Sequence, residues 1–280
     1  MRHKPMLAYP VSDKPINYDD KVFMQPKLDG VRCLIQYDKG KVTAYSRTGK
    51  EWKNIHHITS SLEKWFKSNQ TTVLDGELYN HDLRDDFETI ISLVRRQTPD
   101  DIDMLESRDL VQFHCYDIIH PDNSKFEDRN RFVKYCVEQS SPYVHIVPTM
   151  LVPTESQAKV NHARNLDGGY EGSILRTNDE YHQKRTHSLR KFKDFHDTEA
   201  TITGWVEGKG KRKGTIGKFL AIDADGVTFG MPVMDKFKYL QNNFKKMQGY
   251  VGKTATFTYF ERTKANSYRH PLFKCIRNYE

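Results

Sequence analysis

The chain has 280 residues, 37% hydrophobic and 12% aromatic, with a formal charge of +7, enough for one large domain or two ordinary ones with real cores. The mean hydropathy of -0.77 and the lack of any long apolar run exclude a helical membrane span. The basic N-terminal segment has no apolar stretch of the kind a secretory leader needs, so a cytoplasmic, soluble protein is expected.

The isoelectric point near 9.0 favours a polyanionic partner such as nucleic acid, and is equally compatible with an ordinary basic enzyme. Cys33, Cys115, Cys136 and Cys275 are scattered, without a CxxC pair or histidines at zinc spacing. Reduced thiols are expected, and a structural metal is not.

In chain order, the first strand-like stretch is QPKLDGVRCLIQ (Gln25 to Gln36), which brings Lys27, Asp29 and Arg32 close together. IHHITSSLEKWF follows, with apolar residues spaced by three and four as in an amphipathic helix. TVLDGELY reads as a strand, DDFETIISLVRR as a helix, VQFHCYDII as a strand and RFVKYCVEQ as a helix. Thr154 with Gln157 is a helix-opening signal ahead of Asn165, and YEGSILRT is a further strand. The first two thirds therefore predict an α+β domain with a largely antiparallel sheet.

The pattern changes after Gly204. ATITGW, leading into that change, reads as a strand, and IGKFLAIDADGVTFG beyond it as a hairpin with Asp-Gly at its turn. MDKFKYLQNNFKKMQG reads as a helix ending on glycine, followed by strands at TATFTYFERT and LFKCIRNY. A small barrel of about five strands with one helix, the recipe of an OB-fold, fits this region. The expected boundary lies near residues 198 to 206, giving domains 1–200 and 201–280. The basic run EGKGKRKGTIGK carries Lys209, Lys211, Arg212, Lys213 and Lys218 among glycines; it reads as a solvated loop or a nucleic-acid contact. Its glycines near the boundary are also the expected hinge.

Residues two apart on a strand share a side. Lys27 pairs with Asp29 in this way, Asp75 with Glu77, His114 with Tyr116, Glu171 with Ser173, and Lys191 with Lys193. Leu28, Leu74, Leu78, Phe113, Ile174 and Phe192 then face the other way, into the core. Any one pair is explained as well by a half-solvated sheet. Together they suggest a nucleotide cleft, with lysines for phosphates, carboxylates for a divalent cation and the ribose, and an aromatic for the base.

KLDGVR resembles the K-x-D-G-x-R motif of the covalent nucleotidyltransferases, which comprise ATP-dependent DNA ligases, RNA ligases and capping guanylyltransferases. LDGELY, CYDII, YEGSILR and LRKFKDF resemble the later motifs of that superfamily in order. KPMLA, DTEATITGW, TIGKFLA and YRHPLFKCIR are similar specifically to ATP-dependent DNA ligases of the minimal, phage-like two-domain type. The resemblance covers nearly the whole chain.

It implies an ATP-grasp-like nucleotidyltransferase domain of antiparallel sheets and helices followed by an OB-fold, with ATP and Mg²⁺ as cofactors (Mn²⁺ substituting), nicked duplex DNA as substrate, and a monomer. It also implies Lys27 as the nucleophile that takes AMP, with Asp29 positioning it or a hydrated metal. Glu77 would contact the ribose or metal-bound water, and Glu171 the metal. Tyr116, with Phe113 as the alternative, would stack on adenine. Lys191 and Lys193 would stabilise the transferring phosphate. Arg32, Arg47 and Arg185 would grip nucleic-acid phosphate, or form surface ion pairs, and the loop at Lys209, Lys211, Arg212 and Lys213 would hold duplex.

Two positions depart from the family pattern. Gln25 replaces the usual Glu that reads the adenine amino group, though an amide oxygen can still accept that hydrogen bond. The chain ends RNYE, so Arg277 matches the arginine of the last motif without the following Asp-Lys pair. An RNA ligase, a capping enzyme labelling with GTP, and a catalytically inactive OB-type DNA-binding protein are the alternatives.

Overall fold

The computed structural model describes residues 3–137, 141–234, 246–263 and 265–277. The chain divides after Lys193 into two compact units. Among the described residues no helix is long and apolar enough to cross a membrane.

The first unit is built on two five-stranded sheets. One contains β1 (Leu7–Pro10), β2 (Val22–Lys27), β8 (Met150–Leu151), β9 (Gly172–Thr177) and β10 (Arg185–Phe192), ordered β1-β10-β9-β2-β8. The other contains β3 (Val31–Asp38), β4 (Lys41–Tyr45), β5 (Val73–Tyr79), β6 (Gln112–Ile119) and β7 (Val144–Ile146), ordered β4-β3-β5-β6-β7. The β1–β10 and β6–β7 pairs are parallel and the remaining pairs in these sheets antiparallel. Pro26, which has no N–H to donate, sits beyond the short β8, which pairs only with Phe23 and Met24.

Strand alternation sets the layers. Leu74 and Leu78 of β5 enter a core with Ile35, Phe113 and Ile118, and Asp75 and Glu77 turn to the opposite face. Helices α1 (His56–Ser61), α2 (Glu63–Ser68) and α3 (Phe87–Arg95) close this core with Ile58, Phe66, Ile90, Leu93 and Val94. α4 (Asp101–Leu110), not anticipated from the sequence, starts at a capping box between Asp100 and Asp103. Its apolar residues are few and partly exposed, so periodicity marks it weakly.

α5 (Phe126–Phe132) continues into a π-helical turn over Val133–Val137. α6 (Glu155–Asp167) opens as expected, with the Thr154 side chain accepting from the Gln157 amide at 3.1 Å. It lays Ala158 against Met24 and Leu175 of the first sheet.

The second unit is a five-stranded antiparallel sheet of β11 (His196–Glu207), β12 (Ile216–Ile222), β13 (Thr228–Pro232), β14 (Thr254–Tyr259) and β17 (Leu272–Ile276), ordered β13-β12-β11-β14-β17. Cα atoms of the edge strands β13 and β17 come within 8 Å of each other, as expected of a curled, OB-like sheet. Its core holds Ile202, Phe219, Met231 and Phe257. β15 (Glu261–Arg262) and β16 (Tyr268–Arg269) form a separate ribbon. The expected hairpin turns at Asp225 and Gly226, whose φ is 81°, with the Asp223 carboxylate accepting from the Asp225 and Val227 amides. Residues 235–245 of the expected helix lie outside the described residues, as does the terminus after Arg277; Met247–Tyr250 is a 3-10 turn.

The glycine-rich run expected as a hinge instead closes the β11–β12 hairpin within this unit. Gly208 donates to the Thr215 carbonyl at 2.9 Å and Gly214 to Glu207 Oε1 at 2.7 Å, tying the loop across its base.

Candidate active site

A cavity of about 220 Å³ opens in the first unit, lined by Gln25, Pro26 and Lys27 of β2, Arg32, Arg47, Glu77 and Tyr116, with Ile174, Arg176 and Lys191. Apolar wall comes from Leu7, Ala8, Leu28 and Leu189. β2 and β9 supply one side in register, with Gln25 opposite Ile174 and Lys27 opposite Gly172; β10 adds Lys191 opposite Ile174. The KLDG glycine has a steric reason: a Cβ on Gly30 would lie 2.4 Å from the Leu78 carbonyl oxygen, so only glycine lets the chain enter β3 this close to β5.

Lys27 Nζ bonds Glu171 Oε2, while Lys193 Nζ bonds Oε1 of the same carboxylate, so one buried acid holds two lysines. Its side chain is 4% exposed, against 23% for Lys27. The Glu171 amide also donates to the Lys27 carbonyl at 3.1 Å. Lys191 has its pKa lowered, first by burial and then by the nearby cations Arg185 and Lys27. Asp29 lies in the turn after β2, outside the cavity lining, beside Tyr79; the Tyr79 hydroxyl is pushed up by burial and then by Tyr170 and Asp29.

Glu77 accepts from the Tyr116 hydroxyl at 3.1 Å. Burial raises its carboxyl to about 7, against the opposing pull of Arg32 and Lys27. Among the described residues no group of three or more His, Cys, Asp or Glu converges. Oxygen donors of this kind suit a hard cation, held through one or two carboxylates. Glu171 and Glu77 are the carboxylates available for it.

Strand alternation fails at two places. A bulge pairs Asp75 with Asp117 and Gly76 with Cys115, leaving Tyr116 as the extra residue. Cys115 and Ile118 enter the core, while Tyr116 and Asp117 turn consecutively to the other face. Phe113 is 0% exposed within the core, which leaves Tyr116 as the aromatic on the cavity. Its ring is approached by the Arg32 and Arg176 guanidinium carbons, 5.0 and 5.5 Å from the centroid.

At Gly172, the first residue of β9, the φ of 140° takes the preceding Glu171 out of the strand's alternation. Glu171 and Ser173 consequently do not share a side. Ser173 is buried against His162 and Asn165, and Ile174, expected in the core, lines the cavity.

The arginines differ in how far they are committed. Arg32 grips Asp75 with two bonds of 2.6 and 2.5 Å and reaches the Met6 carbonyl, while its side chain, 18% exposed, still lines the cavity. Arg47 sits exposed on the turn after β4 and also lines a second cleft with Lys4, Lys184 and Arg185. Arg185 bonds the Ala8 carbonyl.

In the second unit, Lys209, Lys211 and Lys213 are exposed, whereas Arg212 donates to the Ile216 and Val233 carbonyls and pins the loop. Arg277 bonds Glu199 Oε1 at 2.6 Å. Sequence reasoning passed over Arg176, although YEGSILR contains it: it is 4% exposed and donates to both Gln25 and Asp117.

The chain is 24% identical over 233 residues to a DNA ligase of Halobacterium salinarum, covering 76% of this chain and 40% of that protein. It is 28% identical over 205 residues to a DNA ligase of African swine fever virus, covering 69% and 46%. It thus spans less than half the length of these relatives. A solved Lig E DNA ligase, described as binding DNA with a minimal scaffold, superposes with a TM-score of 0.77 at 23% identity, covering 99% of this chain and 100% of that one. An ATP-bound DNA ligase of bacteriophage T7 superposes with a TM-score of 0.57 at 16% identity, covering 98% of each chain. A DNA ligase OB-like domain matches residues 207–277. The ATP dependent DNA ligase domain matches residues 5–193, and the chain belongs to that family.

Proposed function

We propose that the protein is an ATP-dependent DNA ligase that seals 5′-phosphate/3′-hydroxyl nicks in duplex DNA, acting as a monomer in a cytoplasm. The observation that carries this reading is the arrangement at Lys27: a partly buried amine on the cavity wall, held by Glu171, with Lys191 and Glu77 lining the same cavity.

In the first step Lys27 Nζ, its ammonium proton lost to water, forms an N–P bond to the α-phosphorus of ATP as the bond to the bridging oxygen breaks, and a second amine proton passes to solvent. Pyrophosphate leaves with that electron pair. Lys191 and Lys193 offset the charge on the transferring phosphate, a task for fixed cations. Glu171 and Glu77 would hold magnesium, or manganese in its place; when bound, the ion polarises the phosphate as a Lewis acid. Release of Lys27 from Glu171 frees the amine for attack, since the carboxylate favours the ammonium form.

A 5′-phosphate oxygen at the nick then attacks the AMP phosphorus, the N–P bond breaks, and Lys27 recovers its protons. Finally the 3′-hydroxyl attacks the activated 5′-phosphate and AMP departs. Arg47 and Arg185 serve the DNA phosphates, and Lys209, Lys211 and Lys213 the duplex. Arg32, anchored on Asp75, presents its guanidinium to the cavity.

The test is sealing of a nicked duplex by wild type and Lys27→Ala with ATP and Mg²⁺. Sealing by wild type alone supports the reading. Sealing of nicked RNA only, or none by folded wild type, overturns it.

A further inference from the structure

Among the described residues Gln25 is the only neutral amide lining the cavity; the other polar lining residues are lysine, arginine, glutamate and tyrosine. The orientation of that amide is fixed by its neighbours. Arg176 Nε, which can only donate, lies 2.7 Å from Gln25 Oε1. The Tyr116 carbonyl, which can only accept, lies 3.1 Å from Gln25 Nε2. Thr149 Oγ1 lies 2.9 Å from the same nitrogen and spends its own hydrogen on the Val147 carbonyl at 3.1 Å, so it too accepts from Gln25.

Reversing the amide would set donor against donor at Arg176 and acceptor against acceptor at Tyr116. Arg176 cannot swing away freely, because its Nη1 donates to buried Asp117 at 2.7 Å, which Arg129 also grips. Both amide hydrogens are spent, and one lone pair of Oε1 remains.

We infer that Arg176 is a positioning residue that locks the Gln25 amide so that it presents only an acceptor to the base. Building on the proposed ligase reading, this makes the base subsite select a purine with an amino donor at its 6-position over one with a carbonyl there. A glutamine, which free in solution could flip to greet either base, is thereby made to behave as a carboxylate would. The cost of the wrong base is an acceptor facing an acceptor with no donor to relieve it.

The first test uses wild type and three α-labelled nucleotides, reading label on the protein: ATP, the 6-hydrogen analogue purine riboside triphosphate, and the 6-oxo analogue ITP. A locked acceptor predicts labelling rates in that order, with ITP about tenfold or more below ATP, a factor worth about 1.4 kcal/mol. ITP labelling as fast as or faster than the 6-hydrogen analogue overturns the lock.

The second test uses Arg176→Lys, which keeps a cation for Asp117 but cannot hold both Asp117 and Gln25. Its ATP-to-ITP ratio falls about tenfold, and the Gln25→Glu/Arg176→Lys pair restores it, because a carboxylate cannot flip. An unchanged ratio in folded Arg176→Lys, or a loss the added glutamate does not repair, also overturns the inference. Absence of label from every nucleotide on folded wild type instead defeats the ligase reading beneath it.

Discussion

One set of cations in each unit has similar chemistry and an opposite setting. In the first unit Arg129 and Arg176 are almost wholly enclosed and Arg32 and Lys193 largely so, each matched to Asp75, Asp117 or Glu171. In the second unit Lys209, Lys211 and Lys213 stand exposed on one hairpin loop. Enclosed charges hold a geometry, and removing one partner leaves the other desolvated. Exposed charges act at a distance, in proportion to their number, and salt weakens them.

The largest expected effect is chemical. Lys27→Ala and Lys27→Arg abolish covalent nucleotide labelling, the second because a guanidinium stays protonated and retains charge without nucleophilicity. Circular dichroism matching wild type shows that the loss is not unfolding.

Next comes the enclosed network. Arg129→Ala leaves Asp117 short of a partner in an interior where both side chains are at most 1% exposed, and costs about 3–5 kcal/mol in urea unfolding. A cost under about 1 kcal/mol would place this arginine with the surface charges of the second unit.

The loop predicts a smaller and graded response. Substituting Lys209, Lys211 and Lys213 together by alanine weakens binding to nicked DNA at low salt. It flattens the slope of log affinity against log salt by up to about 2.7, at about 0.9 for each DNA phosphate that a lysine no longer neutralises. Label formation from ATP is unchanged. An unaltered salt slope would remove the loop from the DNA surface.

The last effect, confined to acid pH, is a pH dependence. Burial, followed by His145 and His81, lowers His114 from 6.5 to about 3. Between those values the unfolded chain binds more protons at this position than the folded one. Its contribution is therefore complete above pH 6.5 and is lost as pH falls toward 3. His114→Gln flattens that limb of the melting-temperature profile; an identical acid limb would show that another group carries it.

The same contrast governs what could be read in the sequence. The hairpin at Asp225-Gly226, the α6 cap at Thr154 and the split between Leu74, Leu78 and Asp75, Glu77 all follow from local rules, because each depends on neighbours within a few residues. The family motifs marked Lys27, Glu171 and Lys191, which the fold brings together at or beside one cavity.

What escaped depends on partners distant in the chain or on departures from regular backbone. Gln25 and Arg176 meet across 151 positions, and nothing local to either marks the other. Arg32 reads as a phosphate ligand, and its anchor on Asp75, 43 residues away, is not marked locally. The β6 bulge places Tyr116 and Asp117 on one face against a period of two, and the φ at Gly172 takes Glu171 out of the alternation of β9. α4 lacks a full apolar stripe, so only its acidic cap announces it.

The most direct measurement is the intact mass of the protein after incubation with ATP and Mg²⁺, followed by peptide mapping and a chase with nicked duplex. The account predicts one added AMP, carried by Lys27 and lost as the strands are joined. An unmodified mass, or AMP mapped to another residue, would contradict it.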